Sequence, residues 1–173
     1  MLFSILFNLF LEEGGHESLP SMQPRLDEDG NRNWSKLTKN GAFVRETEYI
    51  GNMEHVKTKS GDEYFVYLGD NLMCHYNEHI GDCLYLCTDH LGSVIGIIDE
   101  QGEMRYEAKY DAWGNQEVVK NDIGFIRGYT DHEEMPQFGL VNMNARLYDP
   151  MLGRFLSLLC CKRVGLSCVL FYT

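Results

Sequence analysis

A chain of 173 residues with 44% apolar content has the length of one modest domain and enough apolar surface for a core, which excludes a wholly disordered polymer. A net charge of −11 excludes binding to a nucleic-acid backbone as the main role, because that needs clustered Lys and Arg. Ten Tyr, nine Phe and seventeen Gly beside four Pro favour strands interrupted by many turns.

The chain opens on an apolar run, Met1 to Leu11, with its first charges at Glu12 and Glu13. The run is shorter than the roughly 20 residues a transmembrane helix needs. It also lacks the positive start and small-residue cleavage site of a secretory leader. No stable membrane insertion is expected from it. Residues 14–41 are polar and turn-rich, with Gly14-Gly15, Pro20, Pro24, Asp29-Gly30-Asn31 and Asn40-Gly41. They read as linker and loop, so 1–41 forms an N-terminal segment ahead of the first strand.

From residue 42 the pattern changes. Apolar and aromatic runs predict strands at 43–50, 53–58, 64–68, 72–76, 84–88, 94–98, 104–110 and 140–148. Between them stand turn residues such as Ser60-Gly61-Asp62, Gly69-Asp70-Asn71, Gly81-Asp82 and Gly114-Asn115. Short strands at even spacing with Gly at the breaks predict serial antiparallel hairpins. No helical period is sustained after residue 20, so the expected fold class is mainly β.

A degenerate repeat runs through these hairpins. Asp99-x-x-Gly102 is followed by Tyr110-Asp111-x-x-Gly114-Asn115. The aromatic ends a strand and packs on the sheet, Asp starts the turn with a local hydrogen bond, and Gly takes the positive φ. Stacked in series, such hairpins bury a face that none buries alone.

Other clusters have bland readings. Cys74, His75, His79, Cys83, Cys87 and His90 carry zinc-ligand chemistry, but no Cys-x-x-Cys knuckle occurs, so no metal or other cofactor is expected. The six cysteines are too sparse for a disulfide scaffold and read as mostly free thiols. Asp27-x-Asp29-Gly30-Asn31 lacks the Gly and Glu positions of a calcium loop. Tyr64, Phe65, Tyr67, Tyr106, Tyr110 and Trp113 offer either a sugar platform or cross-strand core packing, and packing is the commoner outcome.

The densest signature lies later. Thr88-Asp89-His90-Leu91-Gly92-Ser93, Tyr110-Asp111-Ala112-Trp113-Gly114-Asn115, Arg127-Gly128-Tyr129-Thr130 and Arg146-Leu-Tyr148-Asp149-Pro150-Met-Leu-Gly153-Arg154-Phe155-Leu-Ser157 occur in order. This series resembles the Rhs and YD-repeat family, and its end resembles the RHS repeat-associated core of polymorphic toxins. The likeness is close over 84–157 and looser over 43–83. It implies a fragment of a spiralling β-sheet shell with the core at its C-terminal end, and structural-motif roles for Asp89, His90, Gly92, Tyr110, Asp111, Gly114, Arg146, Tyr148, Asp149, Pro150, Gly153, Arg154 and Phe155. It also implies a secreted or cell-surface setting and, as partners, the remaining shell segments, a toxin/immunity system or a surface glycan.

Self-cleaving members of that family use an aspartyl-type pair of carboxylates. The resemblance carries their supporting Arg to Arg146 and places the first catalytic Asp at position 159, where this chain has Leu159 after Leu158. Asp149 reads instead as the start of an Asp-Pro turn. The tail from residue 158 to 173 is apolar and Cys-rich and continues neither the family pattern nor any folded module, which suggests a premature or frameshifted end. The expected function is therefore that of a non-enzymatic shell segment. The alternatives are a carbohydrate- or protein-binding surface module, and an autoprotease with an unrecognised carboxylate.

Overall fold

A computed structural model describes residues 20–28, 32–77, 81–143, 146–158 and 170–171. The apolar start, His79, Leu159, Cys160, Cys161 and Cys168 lie outside them. Ten strands follow one another as an antiparallel meander, each hydrogen-bonded to its neighbour in sequence. They are β1 Pro20–Leu26, β2 Arg32–Lys39, β3 Ala42–Ile50, β4 Met53–Thr58, β5 Gly61–Tyr67, β6 Leu72–Asn77, β7 Gly81–Thr88, β8 Val94–Asp99, β9 Met104–Tyr110 and β10 Gln116–Asn121. A 3-10 turn at Tyr129–Asp131 then leads into a five-stranded meander of β11 Glu133–Met135, β12 Leu140–Met143, β13 Arg146–Asp149, β14 Arg154–Leu158 and β15 Leu170–Phe171. The sheet of ten is open, with β1 and β10 at its edges.

The period-2 alternation sorts each strand into two faces. Val56, Phe65, Met73, Leu84, Leu86, Ile97, Tyr106 and Ala108 share the inner face and form the main core. Met73, Leu84 and Ile97 are wholly buried, each contributing roughly 1.5–3 kcal/mol by burial. The connection after β10 completes this core. Asn121 holds Phe125 through both its amide groups, at 2.8 and 3.0 Å. The Phe125 ring meets the edges of Tyr106 and Phe65 at 5.3 and 6.1 Å. A second cluster, Met135, Leu140, Leu147 and Leu156, belongs to the smaller sheet and takes Met22 of β1 against it.

Two sequence expectations need correction. The segment 14–41, read as linker, carries β1 and β2 over its described part. Pro20 and Pro24 are tolerated because β1 is an edge strand, where one side of the backbone needs no ladder partner. Arg25 also stacks on Trp34 across the pair, 4.9 Å from the ring centre. The single strand expected over 140–148 is a tight hairpin, β12 and β13, with Met143 opposite Arg146. Neighbouring residues Val141, Asn142, Leu147 and Tyr148 are all buried, so alternation carries no parity there. The strands β10, β11, β14 and β15 have no sequence prediction behind them.

Candidate functional site

The Asp-x-x-Gly repeats close three hairpins in one geometry. The N–H groups of Asp89, Asp99 and Asp111 donate to the carbonyls four residues on, at 2.9, 3.0 and 3.1 Å. Gly92, Gly102 and Gly114 donate back to the Asp carbonyls at 3.0–3.1 Å, with φ of +85°, +81° and +89°. Each Asp Oδ1 accepts two further backbone N–H groups, from Leu91 and Ser93, Gln101 and Glu103, and Trp113 and Asn115, all within 3.0 Å. These bonds favour the ionised form. Burial works against the Asp89 charge, but the N–H groups of Ser93 and Leu91 outweigh it and lower the carboxyl. Asp99 is lowered first by the Glu103 N–H, and Asp111 first by the Asn115 amide. His90 is exposed in the first of these turns.

The third turn meets the smaller sheet. Tyr148 donates its hydroxyl to the Trp113 carbonyl at 2.8 Å, and the Asn115 amide reaches the Pro150 carbonyl at 3.5 Å. The Trp113 ring lies where a β-carbon at Gly153 would sit, 2.9 Å away. Behind it, a β-carbon at Gly114 would fall 2.6 Å from the Tyr129 ring. Tyr129 packs between Tyr110 and Tyr148, both at 6.1 Å, and Tyr148 packs on Phe155 at 5.4 Å. The Arg146 guanidinium caps this aromatic column, 3.9 Å from the centre of Phe155. Asp149 is buried and accepts the Leu152 N–H at 3.1 Å, which shapes the Asp149–Gly153 turn. Arg154 stands opposite Asp149 across β13 and β14. Tyr110 donates to the Val94 carbonyl at 2.9 Å.

Beside this column lies a polar cleft of about 530 Å³ between the two sheets. Two Arg–Glu–Tyr groups line it, and they are reciprocal. Glu54 of β4 binds Arg127, which lies just before β11, with Nη2 at 2.7 Å and Nε at 2.8 Å. Arg127 covers the Tyr67 ring at 4.5 Å and reaches Asp131 at 3.3 Å. In the mirror arrangement, Arg32 of β2 pairs with Glu133 of β11 and covers Tyr49 at 4.7 Å. Tyr49 donates to Glu133 at 3.1 Å, and the Asn142 amide reaches the same carboxylate at 3.4 Å. The large sheet thus supplies one cation and one carboxylate, and their partners come from β11 and from the connection that leads into it.

The electrostatics lock these groups in place. Burial first, then Glu133, raises Tyr49; burial first, then Glu54, raises Tyr67. Both phenols therefore stay protonated at neutral pH. Burial opposes the Arg127 charge, yet the Glu54 carboxylate prevails and holds its pKa up. A general acid or base works best with a pKa near the working pH, and none of these shifts points there. Glu134 is the exception. Burial pushes its carboxyl to about 7, against the pull of the Tyr129 N–H that it accepts at 2.9 Å. It faces Gly128, away from the cleft lining.

The structure therefore brings Tyr110, Asp111, Gly114, Arg146, Tyr148, Asp149, Pro150, Gly153 and Phe155 to one seam. Asp89, His90 and Gly92 stay at a separate turn. The aromatic set does not share one surface: Phe65 and Tyr106 are in the core, Tyr67 lines the cleft, and Tyr64 stacks on His55. His75 stacks on Phe65 while Cys74 and Cys83 occupy the opposite face, and no group of three metal-ligand side chains forms among the described residues. Sequence reasoning missed the cleft residues Arg32, Tyr49, Glu54 and Glu133, and named Tyr67 only as one of the aromatic set. One signal was available: in Met53–Thr58, Glu54 shares the parity of core residue Val56, so its carboxylate points inward and needs a partner.

Comparison with known proteins places this geometry. The Teneurin YD-shell family model matches residues 54–160. The tRNA3(Ser)-specific nuclease WapA of Bacillus spizizenii is 35% identical over 107 residues, 58% of this chain and 4% of that protein. The tRNA nuclease WapA of Bacillus subtilis (strain 168) is 36% identical over 90 residues, 49% of this chain and 3% of that protein. The chain thus spans a few per cent of the length of these relatives. Among solved structures, TcdB2-TccC3-TEV superposes with a TM-score of 0.67 at 16% identity, covering 86% of this chain and 8% of the other. TcdB2-TccC3 without its hypervariable C-terminal region gives 0.67 at 17% identity, covering 84% and 8%. At such identity the superposition speaks for the fold: an open antiparallel sheet of the kind these shells contain.

Proposed function

The chain belongs to the Teneurin YD-shell family, and on that premise we propose that it is a non-enzymatic wall segment of an Rhs-type toxin shell, whose role is to enclose and present rather than to react. The observation that carries this reading is the seam. Its signature side chains and the ionisable groups of the cleft are engaged in joining two sheets, with donors and acceptors facing one another rather than an open reaction centre.

The nuclease activity in the names of the WapA relatives is not assigned to this segment, since the matched region is a few per cent of each relative. Self-cleavage is not assigned either. Leu159 stands where the family pattern puts its first catalytic carboxylate, and a hydrocarbon side chain cannot share a proton with a second acid. The partners proposed are further shell segments that continue the open edges at β1 and β10.

Intact-mass measurement of the purified chain, fresh and after prolonged incubation between pH 4 and 8, tests the reading. A single species of 20.0 kDa is expected throughout. A product cut near Ser157 that disappears in Arg146→Ala would overturn it.

A further inference from the structure

The face of the large sheet that looks away from the core carries a pair of cysteines with no role in the seam. Cys74 on β6 stands directly opposite Cys83 on β7, and their sulfurs are 3.8 Å apart. Both are free thiols in this structure. The ladder places them at the favourable kind of position. Leu86 donates its N–H to the Asn71 carbonyl, so Asn71 and Leu86 form a hydrogen-bonded pair. Stepping two residues at a time, Met73–Leu84 is another, and Cys74–Cys83 falls at a non-hydrogen-bonded pair, where the backbones are closest. Directly opposed residues there bring their α-carbons within the 4.4–6.8 Å span a disulfide accepts.

The surroundings differ for the two sulfurs. Cys74 is buried and Cys83 half-buried. Cys87, four residues along the same strand, points to the same face but stands opposite Gly96 and has no thiol across the ladder. One thiol is thus accessible and one is sheltered directly behind it, the arrangement of an attacking and a resolving cysteine.

We propose that Cys74 and Cys83 are a disulfide-forming pair, a covalent tie between β6 and β7 that closes by exchange with a small-molecule disulfide. The Cys83 thiolate attacks one sulfur of that disulfide and expels the other half as a thiolate, leaving a mixed disulfide on Cys83. The Cys74 thiolate then attacks the Cys83 sulfur and expels the second half. The two protons lost by the cysteines end on the two released small thiols. The small disulfide is reduced by two electrons, and the protein pair is oxidised by two. The neighbouring Cys74 holds the Cys83 thiol above its usual range, so closure accelerates as pH rises.

Peptide mapping of the full chain after equilibration in glutathione buffers, from fully reduced to fully oxidised, provides the test. Free thiols are alkylated and the chain is cut after glutamate without reduction. Cleavage at Glu78 parts the two cysteines, so a bond between them appears as two linked peptides. The expected result is loss of alkylation at Cys74 and Cys83 together, with the linked pair two hydrogens lighter than the separate peptides and Cys87 still alkylated. Cys87→Ser should leave the linked pair intact, and Cys83→Ser should abolish it and restore alkylation at Cys74. Full alkylation of Cys74 and Cys83 in the oxidised buffer would overturn the proposal, as would linkage of Cys74 to Cys87 or to a cysteine of the tail.

Discussion

The two halves of the seam are built by different means. At one end, the turns at 111–115 and 149–153 meet through a hydroxyl, two carbonyls, an amide and an aromatic column. At the other, the cleft is closed by Arg127 on Glu54 and by Arg32 on Glu133, partners 73 and 101 residues apart. The first half depends on shape: small glycines admit large rings, and rigid turns present their backbone. The second depends on charge desolvated between sheets. Shape contacts leave a mark in local sequence, because a turn and its glycine are neighbours. Ion pairs across sheets leave almost none.

Substitution should expose that difference most strongly at Gly114. A β-carbon there meets Tyr129 at 2.6 Å in a backbone of positive φ. Gly114→Ala should cost about 3 kcal/mol from strain and ring displacement together, read from the urea midpoint of unfolding. An unchanged midpoint would mean that the aromatic column yields freely and that shape is not what holds this half.

For the charged half, Glu54→Gln should cost about 2–3 kcal/mol. That is below the usual penalty for breaking a buried pair, because the Arg127 side chain keeps 29% exposure and water can reach it. A double-mutant cycle on Glu54 and Arg127 should show coupling that shrinks in high salt. Simple additivity would contradict the clasp. The same cycle on Glu133 and Arg32 should return a comparable coupling, since the two groups are mirror arrangements.

Acidity separates the regions in the opposite sense. Glu134 has its carboxyl raised by burial to about 7, above the unfolded value near 4.3. The folded state therefore holds a proton that the unfolded chain has released. Its contribution is full below about pH 4 and is lost as pH rises through about 7. Between those limits Glu134→Gln should flatten the fall in stability; parallel pH profiles for the two proteins would reject the assignment. Asp89, Asp99 and Asp111 run the other way, since their lowered carboxyls stabilise the turns above the unfolded pKa and lose that effect only in strong acid.

The smallest effect is expected at Arg146. Its guanidinium covers an exposed edge of the column at Phe155, and Arg146→Ala should cost less than about 1 kcal/mol. A loss of several kcal/mol in the same urea titration would move Arg146 from the rim of the column to its centre.

Legibility followed the same divide. Strands β3 to β9 could be read because aromatic alternation and Asp-x-x-Gly punctuation are local properties. The edge strands could not: β1 carries two prolines that only an edge tolerates, and β10 has Val118 and Val119 side by side next to a register shift. The hairpin of β12 and β13 was read as one strand because both of its faces are buried. Of the cleft, the inward parity of Glu54, the place of Arg127 in the ordered signature and the aromatic Tyr67 are readable, but not their meeting. Arg32 lies in a segment whose turn-like composition hid its strand.

Every strand of the large sheet has its sequence neighbours as its spatial neighbours. Such a sheet has no need to wait for a distant partner. It can be laid down in the order of synthesis, each hairpin docking on the edge left by the one before, with loop-closure costs that stay small at every step. The seam is different, because its ion pairs join residues 73 and 101 positions apart. The meander thus permits assembly strand by strand, whereas β2 and β4 can be fastened only once Glu133 and Arg127 have been made.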